Sequence, residues 1–321
     1  MTSGTPVCQC PRAGIVRTKE KILKRVLCAL ALVVPVALQA QTVQIDTAAG
    51  PVDAPENPAT VVALDFAAID TLNALQVPLV GRPDFTPPAF LTEALTEVPS
   101  FGTLFEPDFE ALAAMAPDLI VAGGRSQTQL PMLSKVAPTL DMTIDGSDLI
   151  RQTEDRIDAY GLLFAKTDQA AALKRQIDAA LASTAAAVAD KGDAMILLTN
   201  GGKISAYGTN SRFGWIHNAL NLPEAYPGLV AETHGEAVSF EFVAKADPDW
   251  ILVIDRGAAV GQGGEAAAAT LNNPLIAGTT AGKNGHIVYL DPAAMYLSSG
   301  GYQSLILVLG QLTEAFADQN S

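Results

Sequence analysis

Cysteine is nearly absent from this sequence. The chain has 321 residues and three cysteines, Cys8, Cys10 and Cys28. If a leader of about 40 residues is removed on export, the remainder holds no cysteine, which excludes disulfides, thiolate metal sites and a thiol nucleophile. We do not expect lipidation of Cys28, because the acceptor cysteine of a bacterial lipoprotein follows the apolar core of the signal and Cys28 lies near its start.

Positive charge is scarce as well. Lysine and arginine number 20 against 34 acidic residues, for a net charge of −14. Residues 1–40 hold six of the basic groups and one acid, so the remainder carries −19. A role in nucleic-acid binding is not expected, because binding phosphates needs a basic surface. An anionic ligand would depend on a local cluster of arginines.

Long apolar runs are missing too. The uncharged run Val26–Leu38 follows a basic stretch that ends at Arg25. It is shorter than the ~20 residues of a transmembrane helix but fits the ~7–15 apolar residues of a secretory signal. We therefore predict a signal peptide at residues 1–40, cleaved after Ala40, and a periplasmic location.

Familiar catalytic motifs are absent. The sequence contains no G-x-S-x-G elbow, P-loop, H-E-x-x-H or dinucleotide-binding fingerprint. We therefore do not expect an enzyme, and we read Asp255 beside Arg256 as a local ion pair rather than an acid–base catalyst. A secreted hydrolase remains the alternative from another class.

What the sequence does contain is a repeat. Residues 109–125 and 240–256 align at a constant offset of 131, so that Glu110 matches Glu241 and Arg125 matches Arg256. Each copy predicts a short helix, a Pro-Asp turn, a buried strand and an arginine just beyond the carboxyl end of that strand. Ligands bind at that edge of open α/β sheets. The repeat therefore predicts two similar lobes that face each other across a cleft.

The rest of the chain fits this plan. We predict an N-terminal α/β lobe at 58–150, an interlobe helical segment at 151–191 and a C-terminal α/β lobe at 192–318. An alanine-rich helix with Thr167 as its N-cap would join the lobes. Residues 41–58 are expected to form a frayed leader, and Val77–Val80 a second strand.

Three arginines are candidate ligand-binding residues. Arg125 and Arg256 follow strands, and Arg212 is predicted at the start of a helix capped by Ser211. A guanidinium keeps its charge and offers several donors to oxyanions, so three of them in one cleft would bind a polyanion or an anionic metal chelate. The alternative is that each forms a surface salt bridge.

Two pairs of residues have weaker signals. His234 and Tyr296 could supply an imidazole and a phenolate to ferric iron, although a loop histidine or tyrosine is more often simply hydrogen-bonded. Glu110 and Glu241 could simply stabilise their helices, because the helix dipole favours a negative charge in the first turn. Alternatively, they form one exposed acid per lobe that docks onto basic pockets of a partner.

The chain resembles the periplasmic siderophore-binding proteins of iron ABC transporters, especially those that bind catecholate chelates. The motifs Ser-Arg-Phe-Gly at 211–214, Thr-His-Gly at 233–235 and Tyr-Leu-Ser at 296–298 are the most specific. The other matching segments are 102–110, 116–121 with Arg125, 204–210, 236–241, 248–256 and 299–301. One departure is Met295, where relatives tend to have a tryptophan that would form part of the pocket wall.

This resemblance implies a class III periplasmic binding protein, in which two Rossmann-like lobes, each a central sheet flanked by helices, are joined by one long α-helix with little hinge motion. It implies that Arg125, Arg212 and Arg256 bind the anionic ligand. It further implies that His234 and Tyr296 complete the coordination of iron held by a tetradentate chelator, and that Glu110 and Glu241 meet arginines of the permease.

The expected ligand is a ferric siderophore and the expected partner an inner-membrane ABC permease, with no intrinsic cofactor and a monomeric protein. A haem- or corrinoid-binding protein of the same fold is the alternative within this class.

Overall fold

The computed structural model describes Met1 and residues 41–146, 148–229, 235–262 and 266–317. Apart from Met1, the predicted signal segment lies outside these residues, so its cleavage stays a prediction. Within the described ranges, no helix combines the length and the apolar character needed to cross a membrane.

Residues 41–58 are not a frayed leader, because they contain a β-hairpin. Strand β1 (Thr42–Thr47) pairs antiparallel with β2 (Gly50–Pro55). Ile45 is buried, which follows from the alternation of apolar and polar residues along a strand. Ala48 N–H donates to the carbonyl of Asp141 at 2.8 Å, and this bond fixes the hairpin to the N-terminal lobe.

The N-terminal lobe is built on a parallel sheet in the order β3-β4-β5. Its strands are β3 (Val61–Ala63), β4 (Leu119–Ala122) and β5 (Thr139–Asp141), and its helices are α1 (Phe66–Ala74), α2 (Thr92–Leu95), α3 (Phe109–Met115) and α4 (Leu130–Leu133). The predicted strand Val77–Val80 is wrong, since only a single bridge at Gly81 pairs this stretch with β3. Pro78 lacks a backbone N–H and cannot donate to a strand ladder.

Two helices follow, α5 (Leu149–Leu163) and α6 (Thr167–Val188). With 22 residues, α6 spans about 33 Å. Its buried residues Ala170, Ile177, Thr184 and Val188 lie along one face, as expected for an amphipathic helix packed on a core. The predicted cap at Thr167 is wrong, because Thr167 is the first helical residue and Lys166 holds the N-cap position without a side-chain hydrogen bond.

The C-terminal lobe has a mixed five-stranded sheet in the order β10-β9-β6-β7-β8. Three of its strands, β6, β9 and β10, are parallel, while β7 and β8 add an antiparallel edge. The strands are β6 (Ala194–Asn200), β7 (Lys203–Tyr207), β8 (Glu236–Val238), β9 (Trp250–Asp255) and β10 (Ile287–Tyr289). The helices are α7 (Trp215–Leu220), α8 (Phe240–Ala246), α9 (Arg256–Ala259), α10 (Ala267–Thr270), α11 (Pro274–Ala277), α12 (Thr280–Asn284), α13 (Pro292–Tyr296) and α14 (Tyr302–Ala317).

The sequence repeat is a structural repeat. Helices α3 and α8 begin at positions 131 apart, and their N-caps, Asp108 and Ser239, each accept a hydrogen bond from the N–H three residues on, at 2.9 and 3.2 Å. Both helices end in a left-handed residue, Ala116 and Asp247, with φ of 51° and 48°. Each copy thus starts and stops its helix by the same local rules.

The two lobes share one core. The largest buried cluster includes Val121 of the first sheet, Leu252 of the second and Ile177 of α6. The segment Tyr296–Ser304 adds polar contacts across the lobes. One example is the bond from the backbone N–H of Tyr302 to the hydroxyl of Thr71 in α1, at 3.2 Å. The predicted fold class, two α/β lobes joined by a long helix, is confirmed.

Candidate functional site

Three arginines converge on Tyr296, the last residue of α13. The guanidinium of Arg125 donates to the carbonyl oxygen of Tyr296 at 2.9 Å, and that of Arg212 donates to the same oxygen at 2.7 Å. Arg256 Nε donates to the Tyr296 hydroxyl at 3.0 Å. The carbonyls at a helix C-terminus lack helical partners and favour cations, so the end of α13 positions two of the three arginines.

The guanidinium groups also lie over the phenol ring. Their central carbons are 5.1 Å (Arg125), 4.8 Å (Arg212) and 5.7 Å (Arg256) from the ring centroid, within the range of cation–π interactions. Arg125 belongs to the N-terminal lobe and the other three residues to the C-terminal lobe. The structure therefore brings together four of the five predicted ligand and metal residues between the lobes.

Local structure explains where each arginine lies. Arg125 is in a 3-10 helix, Gly124–Gln129, that follows β4, where buried Ser126 exchanges hydrogen bonds with Gly123 at 3.0 and 3.1 Å. Arg256 is the first residue of α9, directly after β9. Arg212 is not at a helix start, because α7 begins only at Trp215. It lies in the preceding turn, where Ser211 bonds back to the Gly208 carbonyl.

The three cleft arginines form no ion pair with a described residue, although the charge of Arg125 acts on the buried carboxyl of Asp65, which lines a small cavity together with Arg125. Among the described side chains, the ion pairs involve Arg151 and Lys174, and none of the three cleft arginines forms one. The expected pair of Asp255 with Arg256 is wrong, because the Asp255 carboxylate accepts the backbone N–H groups of Ala258 and Ala267 at 3.0 and 2.8 Å. The alternative of three surface salt bridges therefore does not describe these residues.

Clustering these charges shifts the pKa values of the groups they surround. Burial lowers the pKa of Arg212, and the charge of Arg125 lowers it further, although an arginine remains protonated at neutral pH. Burial alone would raise the pKa of Tyr296. The hydrogen bond from Arg256 and the charges of Arg256, Arg212 and Arg125 outweigh burial, so the pKa of the phenol lies below its ordinary value. An incoming anion would relieve the repulsion among the guanidiniums.

A cavity of about 350 Å³ opens beside this cluster. Arg212, Arg256 and Tyr296 line one end, and Tyr207 lies on the sheet wall. Burial raises the pKa of Tyr207 to about 12, so its hydroxyl is protonated and available as a donor at neutral pH. A smaller cavity of about 50 Å³ is lined by Arg125 and Arg212 together with Asp65 and Asp145.

His234, the other predicted iron ligand, lies outside the described residues, so its distance from Tyr296 is not established. In the described ranges there is no cluster of three or more His, Cys, Asp or Glu side chains that could hold a metal ion. Tyr296 is therefore the one described member of the predicted pair, and its role as an iron ligand stays a prediction.

The two predicted docking acids are exposed and equivalent. Glu110 and Glu241 each lie in the first turn of their helices, α3 and α8. Hydrogen bonds from its own backbone N–H and from Ser239 lower the pKa of Glu241, which keeps it ionised. Their exposure is what docking would need, but docking itself stays a prediction.

Sequence reasoning missed some neighbours of the site. Asn200 and Gln262 accept hydrogen bonds from Arg256 at 3.3 and 3.4 Å. Their only signal in the sequence was that Asn200 ends a strand and Gln262 follows a helix of the second lobe. Met295 does not form a pocket wall, because it is buried in the core. The absence of the tryptophan expected there therefore changes core packing rather than the cavity surface.

Two α/β lobes, a joining helix and a cluster of three arginines that form no ion pair with a described residue define a binding protein for an anionic small molecule. The chain belongs to the periplasmic binding protein family, whose model matches residues 61–294.

Similar proteins include the petrobactin-binding protein YclQ of Bacillus subtilis, 34% identical over 266 residues, which are 81% of this chain and 83% of that protein. The crystal structure of YclQ matches with a TM-score of 0.82, covering 86% of this chain and 99% of that chain. The ferric-anguibactin-binding protein FatB of Vibrio anguillarum is 30% identical over 81% of this chain and 83% of its own length. The periplasmic catecholate-siderophore binding protein VctP from Vibrio cholerae matches with a TM-score of 0.80 at 31% identity, covering 85% of this chain and all of that chain (100%).

Proposed function

We propose that this protein captures a ferric siderophore of the catecholate type in the interlobe cleft and delivers it to an ABC permease of the inner membrane. The observation that carries the proposal is the convergence on Tyr296 of three guanidiniums that form no ion pair with a described residue. Catecholate oxygens bound to Fe³⁺ keep negative charge, and arginine donors are suited to such oxyanions.

The relatives support this ligand class over the haem or corrinoid alternative. Two proteins at 30% identity or more are named for binding ferric anguibactin and catecholate siderophores. Membership of a family of binding proteins also weighs against the hydrolase alternative. Export to the periplasm belongs to the same proposal and depends on the signal pattern in residues 1–40.

In the proposed complex, each group has a distinct task. Arg125, Arg212 and Arg256 neutralise the chelate from both lobes. The Tyr296 phenol, whose pKa is already lowered, offers an oxygen to Fe³⁺ when the chelator fills only four positions, together with His234. Glu110 and Glu241 present one carboxylate per lobe to basic pockets of the permease, which sets encounter rate and register.

The test is a titration of tryptophan fluorescence with the ferric complex of a tetradentate bis-catecholate. We expect tight quenching, and in the triple variant Arg125→Ala, Arg212→Ala, Arg256→Ala a loss of affinity of at least about 100-fold, since charge-assisted hydrogen bonds contribute about 1.5–3 kcal/mol each. Arg151→Ala is the matched control, because that arginine pairs with Asp148 and Asp155 at the surface. Equal affinity of the triple variant and the control would contradict the proposal.

A further inference from the structure

The cavity beside the arginine cluster continues along one face of the antiparallel edge of the second sheet. Side chains of a strand alternate between faces, so Lys203, Ser205 and Tyr207 of β7 share a face. All three line the cavity. The neighbouring strands place Asn200 opposite Lys203 and Ala237 opposite Ser205, and both partners line the same cavity. The wall thus runs from Tyr207, near the arginines, out to Lys203.

The chemistry of this wall is one-sided. Its polar side chains are an ammonium, two guanidiniums, three hydroxyls and one amide, and no carboxylate of the described chain lines the cavity. Lys203 is exposed and makes no ion pair or side-chain hydrogen bond with any described residue. Every charged group on the wall is therefore a cation, and none of them forms an ion pair with a described residue.

The basic residues of the cavity wall stand out because the rest of the protein is strongly acidic. From residue 41 onward the chain has 14 basic residues against 33 acidic ones. Three of those basic residues, Arg212, Arg256 and Lys203, line the larger cavity, which has no described carboxylate in its wall. The smaller cavity is lined by Arg125 and Arg212 together with Asp65 and Asp145. Cations collected in one concave region of an acidic protein focus a positive potential there and attract anionic ligands.

We propose that Lys203, assisted by the hydroxyl of Ser205, forms an outer subsite that recognises a second anionic group of the chelate. This group is a carboxylate on the siderophore backbone, separate from the iron-bound oxygens at the arginines. The inference rests on the proposed function and deepens it. Lys203 is a specificity-determining residue, because a lysine ammonium on a flexible stem adapts to an oxyanion whose position varies between ligands.

The experiment compares two ferric bis-catecholates that differ only by a carboxylate on the linker. The wild-type protein should bind the carboxylate form about 5-fold more tightly, the size of a partly exposed ion pair. Lys203→Ala should abolish this preference by lowering the affinity for the carboxylate form far more than that for the plain chelate, whereas Lys203→Arg should retain it. The preference should also shrink as salt is raised, since exposed charges are screened.

Lys283→Ala, at an exposed lysine of α12 that does not line the cavity, is the control and should behave as wild type. If the wild-type protein binds both chelates but Lys203→Ala keeps the preference, or weakens both chelates equally, the outer subsite is overturned while the proposed function stands. If the wild-type protein binds neither chelate, the proposed function fails and the subsite fails with it.

Discussion

Arg125 and Arg256 occupy equivalent positions in the two copies of the repeat, yet they make different contacts. Arg125 reaches across the cleft and donates to backbone carbonyls of the other lobe, at Tyr296 and Leu297. Arg256 stays within its own lobe and donates to side chains, including the Tyr296 hydroxyl. Duplication therefore fixed where each arginine lies relative to its strand, while the surroundings decided what it binds.

The difference arises because α13 belongs to one lobe only. Its C-terminal carbonyl faces Arg125 and Arg212, and its phenol faces Arg256. Arg125 thus connects the two lobes at the ligand site, whereas Arg256 donates to the hydroxyl of Tyr296, the candidate iron ligand. Three predictions test what the two lobes share and where they differ, from the largest expected effect to the smallest.

The first prediction concerns what the copies share. Leu112 of α3 and Val243 of α8 are equivalent and fully buried (0% exposed each). Leu112→Ala should lower the free energy of unfolding by about 2–5 kcal/mol, and Val243→Ala by less because fewer methyl and methylene groups are removed. Urea denaturation measures both. A loss below about 1 kcal/mol for Leu112→Ala would mean that the first copy is not anchored in its core as the second is.

The second prediction concerns the contact between Asp70 of α1, in the N-terminal lobe, and the start of α14. The buried carboxylate of Asp70 in α1 accepts the N–H groups of Gln303 and Ser304, at 2.6 and 2.8 Å, and so caps α14. Burial raises the pKa of Asp70 to about 6, because desolvation outweighs the hydrogen bonds from Ser304 and Gln303.

A raised carboxyl pKa means that the folded protein holds the proton more tightly than the unfolded chain does. This group's contribution to the free energy of unfolding therefore increases as pH falls through about 6 toward the ordinary value of 3.8, by up to about 3 kcal/mol. We expect the wild-type protein to gain stability relative to Asp70→Asn between pH 7 and pH 5, in denaturation series at each pH. Parallel curves for the two proteins would show that Asp70 does not titrate in this range.

Much of the scaffold could be predicted because it follows from local rules. The Pro-Asp turns mark real strand starts, where Asp118 and Asp249 accept backbone N–H groups of the segments that precede β3 and β6. Arg125 and Arg256 could be found from the repeat alone, since each follows a parallel strand of its own sheet and ligands bind beyond the carboxyl ends of such strands.

Other features depend on packing between distant residues and left no local signal. Asp70 and Ser304 are 234 positions apart, and nothing near Asp70 marks it as a cap for the last helix. The hairpin at 42–55 was hidden by its polar composition, because only one of its faces is covered. Arg212 was singled out by a predicted helix start that is wrong, and Tyr296 only as a possible loop ligand of iron, so their convergence needed the folded chain.

The third prediction returns to the two equivalent arginines and is the smallest in effect. Arg256 lowers the pKa of the Tyr296 phenol through both a hydrogen bond and its charge, whereas Arg125 acts on the phenol through its charge alone. Arg256→Ala should therefore raise that pKa, and Arg125→Ala should raise it by distinctly less.

Ultraviolet difference titration of phenolate, with Tyr296→Phe subtracted to remove the other tyrosines, measures the shift, and Arg151→Ala should leave it unchanged. Equal shifts in the two cleft variants would mean that the hydrogen bond contributes nothing beyond charge.

A larger shift in Arg256→Ala would also affect iron binding. The phenolate is the form that binds Fe³⁺, so Arg256→Ala should bind the ferric bis-catecholate less tightly at low pH than at high pH. This dependence of affinity on pH should be steeper in Arg256→Ala than in Arg125→Ala.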